Sequence, residues 1–338
     1  MASTKIPAAG KSGAPKPVAT RRSTQRASVP ASLAAEPVWP PYGSMYAVLD
    51  KAALAGSLPR GFDAASWTAF FQRVRDDIAD VVWPRWDGGT WVGRATAAMG
   101  ALTRADLDLI DAVLRPMLGQ AAGAGGELAL VTHKALFIAE DDMPSSGGTF
   151  ETARRYLAGQ PAAVVAGVVT AAGLGLGAMG PRSLAFKRDL QRPRPYQASL
   201  LLGRPFDYEW AKSAVTPAIM SGHCLQGLFV ATAAYLDQQL QIDQLPGARA
   251  ALQAFGADFG DRRVFAGVHY PSDNVASWYI GLKLGEVCFA AQASVAKAFM
   301  VELIRRSRVY AAMAQAASGA DSPYKPVIDW IDAAIATP

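Results

Sequence analysis

The sequence predicts an all-α protein, a helical bundle preceded by a disordered basic tail. Three observations point there. From about Tyr46 onward, apolar residues recur at three- and four-residue steps, the spacing that puts them on one face of a helix. Alternating β-rich runs are few, and Gly and Pro punctuate the joins without any repeat period. At 338 residues with 51% hydrophobic side chains, the chain can bury a large core, expected as a single domain over residues 41–338.

The elements follow in order. Residues 1–40 are rich in Ala, Ser, Pro and Gly and lack apolar periodicity, which reads as disorder. Lys5, Lys11, Lys16, Arg21, Arg22 and Arg26 against Glu36 account for the whole formal charge of +5, so the remainder is near neutral. A tail of this charge density solubilises; contact with a membrane surface is its alternative use, and no nucleic-acid partner is expected. No apolar stretch follows Arg21-Arg22, so the tail does not read as a secretory or twin-arginine signal, and the cytoplasm is the first expectation for compartment.

Helices are then expected over residues 64–80, 104–118, 126–139, 149–158, 161–179, 227–240, 248–259, 272–291 and 294–317. Residues 161–180 carry no charge over a length that could nominally span a bilayer. The stretch is dominated by Ala, Gly and Val, and no second one compares with it, because residues 272–291 contain Asp273, Lys283 and Glu286. It reads as a buried, closely packed helix, and no integral membrane association is expected.

Several residues that invite a functional reading have a plainer one. Glu140-Asp141-Asp142 point in three directions and precede a Pro/Ser/Gly loop, so they suit a helix end better than a metal. No metal-ligand spacing occurs elsewhere, and no metal is expected. Cys224 and Cys288 lie far apart in apolar surroundings, as buried free thiols do. His133 has no chemical context. The tryptophans of Trp83-Pro84-Arg85-Trp86 and Trp91 suit packing first and a substrate wall second.

Three stretches remain: Lys187-Arg188-Asp189-Leu190-Gln191-Arg192-Pro193-Arg194-Pro195, Ser221-Gly222-His223, and Arg263-Val264-Phe265-Ala266-Gly267-Val268-His269-Tyr270-Pro271-Ser272-Asp273. Their order and internal spacing resemble the K-x6-R-P, S-G-H and R-x5-H-x3-D signature of the type 2 phosphatidic acid phosphatase superfamily, which includes bacterial acid phosphatases and vanadium haloperoxidases. The resemblance covers about residues 185–275. It implies a helical core with its site at the ends of a few central helices. It also implies His269, His223 and Asp273 as catalytic, and Lys187, Arg194, Ser221, Gly222 and Arg263 as phosphate ligands. Met220 and Arg262 stand where the family usually has Pro and Ser, a change of loop shape rather than of ligands; Pro217 can supply part of the missing turn.

The same residues support that chemistry on their own terms. Taken singly, His223 and His269 are core histidines; taken together with three cations, they form a nucleophile and a proton donor. An imidazole attacks through one ring nitrogen only if the other is held as a donor, and Asp273, four residues after His269, can hold it if a helix starts near Tyr270. His223 can protonate a leaving alkoxide. Ser221 and Gly222 let backbone N–H groups approach an anion, reinforced by a helix starting after them. Pro193 and Pro195 forbid a regular helix through Arg194, so a helix should end near Leu190 and an extended segment should return Arg194 to the site, with Arg192 left outside the ligand set.

These readings converge on a metal-independent phosphomonoesterase of the acid phosphatase type, acting on a phosphorylated small molecule through a phosphohistidine and needing no cofactor. The alternative within the resemblance is a haloperoxidase holding vanadate on His269. Only 27 positions separate Arg194 from Ser221 and 40 separate His223 from Arg263, whereas haloperoxidases carry longer insertions there. Two further alternatives are a non-catalytic anion-binding protein and a lipid phosphatase at a membrane surface. Natural substrate and oligomeric state are left open.

Overall fold

The computed structural model describes residues 58–87, 90–94, 96–120, 153–208 and 212–337. The basic tail, His133, the helix expected over residues 126–139 and the acidic run at 140–142 lie outside them. Among the described residues the fold is all-α, and the one sheet is a two-residue antiparallel pair, β1 (Arg85–Trp86) on β2 (Trp91–Val92).

The first helix among the described residues, α1 (Ala64–Val81), starts where Asp63 and Ser66 cap each other's backbone N–H groups, and it buries Trp67, Phe70, Phe71, Val74 and Ile78 along one face. After the β-pair come α2 (Thr96–Leu109), a π-helical turn at Ile110–Leu114 and α3 (Arg115–Gln120). The expected 104–118 helix thus begins earlier and is interrupted once. A stripe at Met99, Leu102, Thr103, Asp106 and Ile110 faces inward, and Asp106 is fully buried in it.

The long helix α4 (Ala162–Leu190) continues the expected 161–179 segment through Lys187, and Gln191 ends it in the left-handed conformation. Its first turns bury Val164 and Val168 while Ala162, Ala163 and Ala166 stay exposed, so the burial expected for this segment holds there on one face only. Among the described residues, no single helix is long and apolar enough to cross a membrane. The short α5 (Pro195–Leu201) follows, with Pro at its first position, where the missing N–H costs nothing.

Helix α6 (Gly222–Gln244) is central. It packs on α4, on α7 (Ala248–Phe265), on α8 (Pro271–Cys288) and on α9 (Ala293–Arg306). Its crossing with α7 is set by glycine: a Cβ on Gly227 would sit 2.5 Å from the Gly256 carbonyl oxygen and 2.8 Å from Phe259 Cβ. One on Gly260 would sit 2.7 Å from Cys224 Sγ. The two backbones therefore touch, and the residues just beyond the crossing, His223 on α6 and Arg263 on α7, are brought to the same end of the bundle.

The helix expected over 294–317 is two, α9 and α10 (Arg308–Ala316). Ser307 breaks it, its side chain capping Tyr310 N while donating to the buried Asp261, which also accepts from Arg308 N. A buried carboxylate in α7 competes for the backbone here, and local periodicity does not reveal it. The last helix, α11 (Lys325–Ala336), lies beyond the helices the sequence predicts and buries Val327, Ile328, Ile331 and Ile335 as it packs on α8. Cys224 and Cys288 are buried free thiols, as expected.

Candidate functional site

The three sequence stretches meet at one end of α4, α6, α7 and α8. Lys187 lies in the last turn of α4, consistent with a helix end near Leu190 set by Pro193 and Pro195, and its Nζ donates to the carbonyls of Pro217 (2.7 Å) and Ala218 (3.2 Å). An ammonium has three N–H groups, so one donor is left for a ligand. Beyond the left-handed Gln191 the chain leaves the helix, Arg194 is extended, and the Arg192 carbonyl accepts from Ala218 N at 2.8 Å, which ties the first stretch to the approach to the second. Pro217 thus stands in this turn.

Arg194 is buried and held by the backbone. Its Nε donates to Thr216 O (2.6 Å), Nη1 to Val268 O (2.6 Å) and Nη2 to Thr216 Oγ1 (3.2 Å). Nη1 also lies 2.9 Å from His269 Nε2. Because a guanidinium cannot accept a hydrogen bond, Nε2 is the acceptor and the ring proton sits on Nδ1. That nitrogen faces Asp273 Oδ2 at 3.1 Å, and the same carboxylate oxygen accepts from Tyr270 N at 3.0 Å. Tyr270 is the N-cap of α8 and Asp273 lies in its first turn, so one carboxylate both starts the helix and orients the imidazole.

The turn that delivers His269 needs Gly267. It ends α7 at φ +74°, and a Cβ there would sit 2.9 Å from Asp207 O. The Arg263 carbonyl then accepts from Val268 N (3.1 Å) and His269 N (3.2 Å), folding the chain back over the end of α7. Arg263 itself is buried in that last turn.

Ser221 caps α6, its side chain accepting from Cys224 N at 3.3 Å, and its carbonyl accepts from Ser277 Oγ of α8 at 2.9 Å. Gly222 opens the helix; a Cβ there would meet only Ser183 Oγ, at 3.8 Å, so the backbone is open to close approach. His223 is half-buried, its ring 5.4 Å from that of Phe259.

Burial first, and then the positive charges of Arg194, Lys187, Arg263 and His223, hold the His269 imidazole well below its ordinary pKa. Burial and Arg194 likewise depress Lys187, with Asp273 opposing. The pocket is thus a set of buried cations around a neutral imidazole, a pattern that favours an incoming anion.

Of the two departures from the signature, Arg262 turns away from this pocket, over the Phe259 ring and toward Tyr156 Oη at 3.2 Å. Met220 is fully buried. Trp83 is core and lies 5.0 Å from the Arg192 guanidinium.

Arg192, outside the expected ligand set, lies behind His269. Its Nη1 donates to Asp273 Oδ1 (2.9 Å) and Ser272 Oγ (2.7 Å), and its Nη2 to Asp106 Oδ2 (2.8 Å). Burial disfavours its charge, but Asp273 and Asp106 outweigh burial, and its pKa is raised. Asp106 is not among the residues the sequence singles out; its signal there is a carboxylate in the apolar stripe of α2. Among the described residues, no group of three or more His, Cys, Asp or Glu could hold a metal ion.

A family model described as the PAP2 superfamily matches residues 162–295, in line with the resemblance carried by the three stretches and with the all-α fold. That match supports a phosphatase-like enzyme role in general terms. No curated protein and no solved structure matches the chain.

Proposed function

We propose, from the premise that residues 162–295 match the PAP2 superfamily, that the protein is a metal-independent phosphomonoesterase working through a phosphohistidine. The observation that carries the reading is the His269 ring. One nitrogen faces a carboxylate and the other accepts from a guanidinium at 2.9 Å, amid buried cations.

In this reading a phosphomonoester dianion draws Arg194 Nη1 off Nε2 and onto a phosphoryl oxygen, which frees the Nε2 lone pair. Nε2 attacks phosphorus and the P–O bond to the leaving group breaks. His223, protonated, gives its proton to the departing alkoxide. Asp273 stabilises the imidazolium character that His269 gains. Lys187, Arg194, Arg263 and the backbone at Ser221-Gly222 hold the three equatorial oxygens, each charge-assisted hydrogen bond contributing about 1.5–3 kcal/mol. Neutral His223 then takes a proton from water as the water oxygen attacks phosphorus, the P–N bond breaks, and phosphate leaves.

The depressed pKa of His269 favours this role, since a neutral imidazole keeps its lone pair in mildly acidic solution. The test is a paired assay on one metal-stripped preparation: p-nitrophenyl phosphate hydrolysis across pH 4–8, and bromide oxidation by peroxide, each with and without vanadate. Hydrolysis inhibited by vanadate is the expected result. Peroxide-dependent halogenation appearing only with vanadate would overturn it, and anion binding without either turnover would mark a non-catalytic protein.

A further inference from the structure

The orienting carboxylate Asp273 is itself held by Arg192, which it shares with a carboxylate from outside the matched segment, Asp106. Arg192 places one Nη on Asp273 Oδ1 and the other on Asp106 Oδ2, both ion pairs fully buried. Its plane is fixed by the Tyr270 ring, 3.8 Å from the guanidinium carbon, and by Trp83 on the other contact. Asp106 also accepts from Ser272 Oγ and from Tyr324 Oη at 3.1 Å, so α2 and the segment before α11 both lock onto this carboxylate.

From this geometry we infer that Asp106 is a positioning residue for His269: acting through Arg192, it supplies the second negative charge that leaves Asp273 able to stabilise a positively charged imidazole. The reason is charge balance. His269 sits among Arg194, Lys187 and Arg263, all of which oppose any positive charge on the ring. If Asp273 alone faced Arg192, that pair would be neutral and would offer little to an imidazolium. With Asp106 sharing Arg192, the three side chains carry one net negative charge once Asp106 is ionised. Burial, opposed by Arg192, pushes its carboxyl up to about 6, so the extra charge is present above about pH 6, in a dry interior where it acts strongly on its neighbours. The shared hydroxyl of Ser272, which accepts from Arg192 and donates to Asp106, keeps both carboxylates on one guanidinium edge. Lysine, a point charge without the fork, would not span the two.

This inference rests on the phosphohistidine reading for its catalytic consequence, but not for its structural one, so two readouts are needed. Asp106→Asn keeps the shape and removes the charge. At pH 7 and above, where Asp106 is ionised, it is expected to lower kcat by roughly 10- to 100-fold, as removal of an outer partner does elsewhere, with KM little changed. It should also shift the 1H and 15N resonances of the His269 Nδ1–H group and lower the pKa of that ring further. Tyr324→Phe, which removes one hydrogen bond and no charge, should move both readouts in the same direction and less, and it serves if the first variant does not fold. Arg192→Lys should reproduce the kcat loss. A folded Asp106→Asn protein with wild-type kcat and unmoved His269 resonances would overturn the inference. Resonances that move in a protein whose wild type hydrolyses no phosphoester would retain the positional coupling and overturn the phosphatase reading instead.

Discussion

Nη1 of Arg194 lies 2.9 Å from Nε2 of His269, on the side of the ring opposite Asp273. In the proposed mechanism, the cation that grips phosphate and the lone pair that attacks it are thus hydrogen-bonded to each other. An incoming dianion must therefore exchange partners with Arg194, and it must relieve the positive field that depresses both His269 and Lys187. Binding should then take up protons. Sulfate, a dianion across the range, is a clean probe: its Kd should tighten as pH falls from 8 to 5, with calorimetric heats that differ between buffers of different ionisation enthalpy. A Kd independent of pH would contradict this.

Arg194 is anchored at three edges, by Thr216 O, Thr216 Oγ1 and Val268 O, and only a guanidinium fork fits that frame. Arg194→Lys keeps the charge and loses the frame. It should reduce kcat/KM by about 10- to 100-fold, the equivalent of one charge-assisted hydrogen bond, with little change in Tm. Steady-state kinetics beside a thermal melt checks it.

Helix contact underlies the site as much as charge does. Gly227→Ala would place a Cβ 2.5 Å from the Gly256 carbonyl oxygen, forcing α6 and α7 apart at the crossing just beneath His223 and Arg263. A loss of about 1–3 kcal/mol in stability is expected, measured by denaturant unfolding, together with reduced activity at temperatures where the fold persists.

Asp261 is buried, and burial first, then Asp258, pushes its carboxyl up to about 7. A folded pKa above the unfolded value of about 3.9 means the native state holds a proton that the unfolded chain has released. Its contribution is full below about pH 4 and is lost as pH rises toward 7, with a slope of up to about 1.4 kcal/mol per pH unit. His269 acts oppositely: its stabilising share is complete above about pH 6.5 and is lost as pH falls toward its depressed folded value. Asp261→Asn leaves the His269 contribution in place, so the wild-type minus variant difference in stability should fall from pH 4 to 7. A flat difference would contradict the assignment.

Much of the site was legible in the sequence because it is local. The His269–Asp273 pair depends on four-residue spacing at a helix start, and Pro271 announces that start. The end of α4 near Leu190 follows from Pro193 and Pro195. What was not legible depends on contacts remote in the chain. Asp106 lies 86 residues before Arg192, and nothing near it in sequence names its partner. Ser307 breaks a continuous helical pattern because a carboxylate 46 residues earlier captures it. The helix Lys325–Ala336 lies outside the expected set although its apolar stripe, Val327, Ile328, Ile331 and Ile335, has the helical spacing in the sequence itself.

The central claim is that His269 becomes covalently phosphorylated. Rapid quench of the wild-type enzyme with p-nitrophenyl [32P]phosphate should trap label that is stable to alkali and labile to acid, located on the peptide containing His269 and absent from His269→Ala protein. An active enzyme that yields no labelled protein, label on another residue, or appreciable turnover by purified His269→Ala would contradict the account.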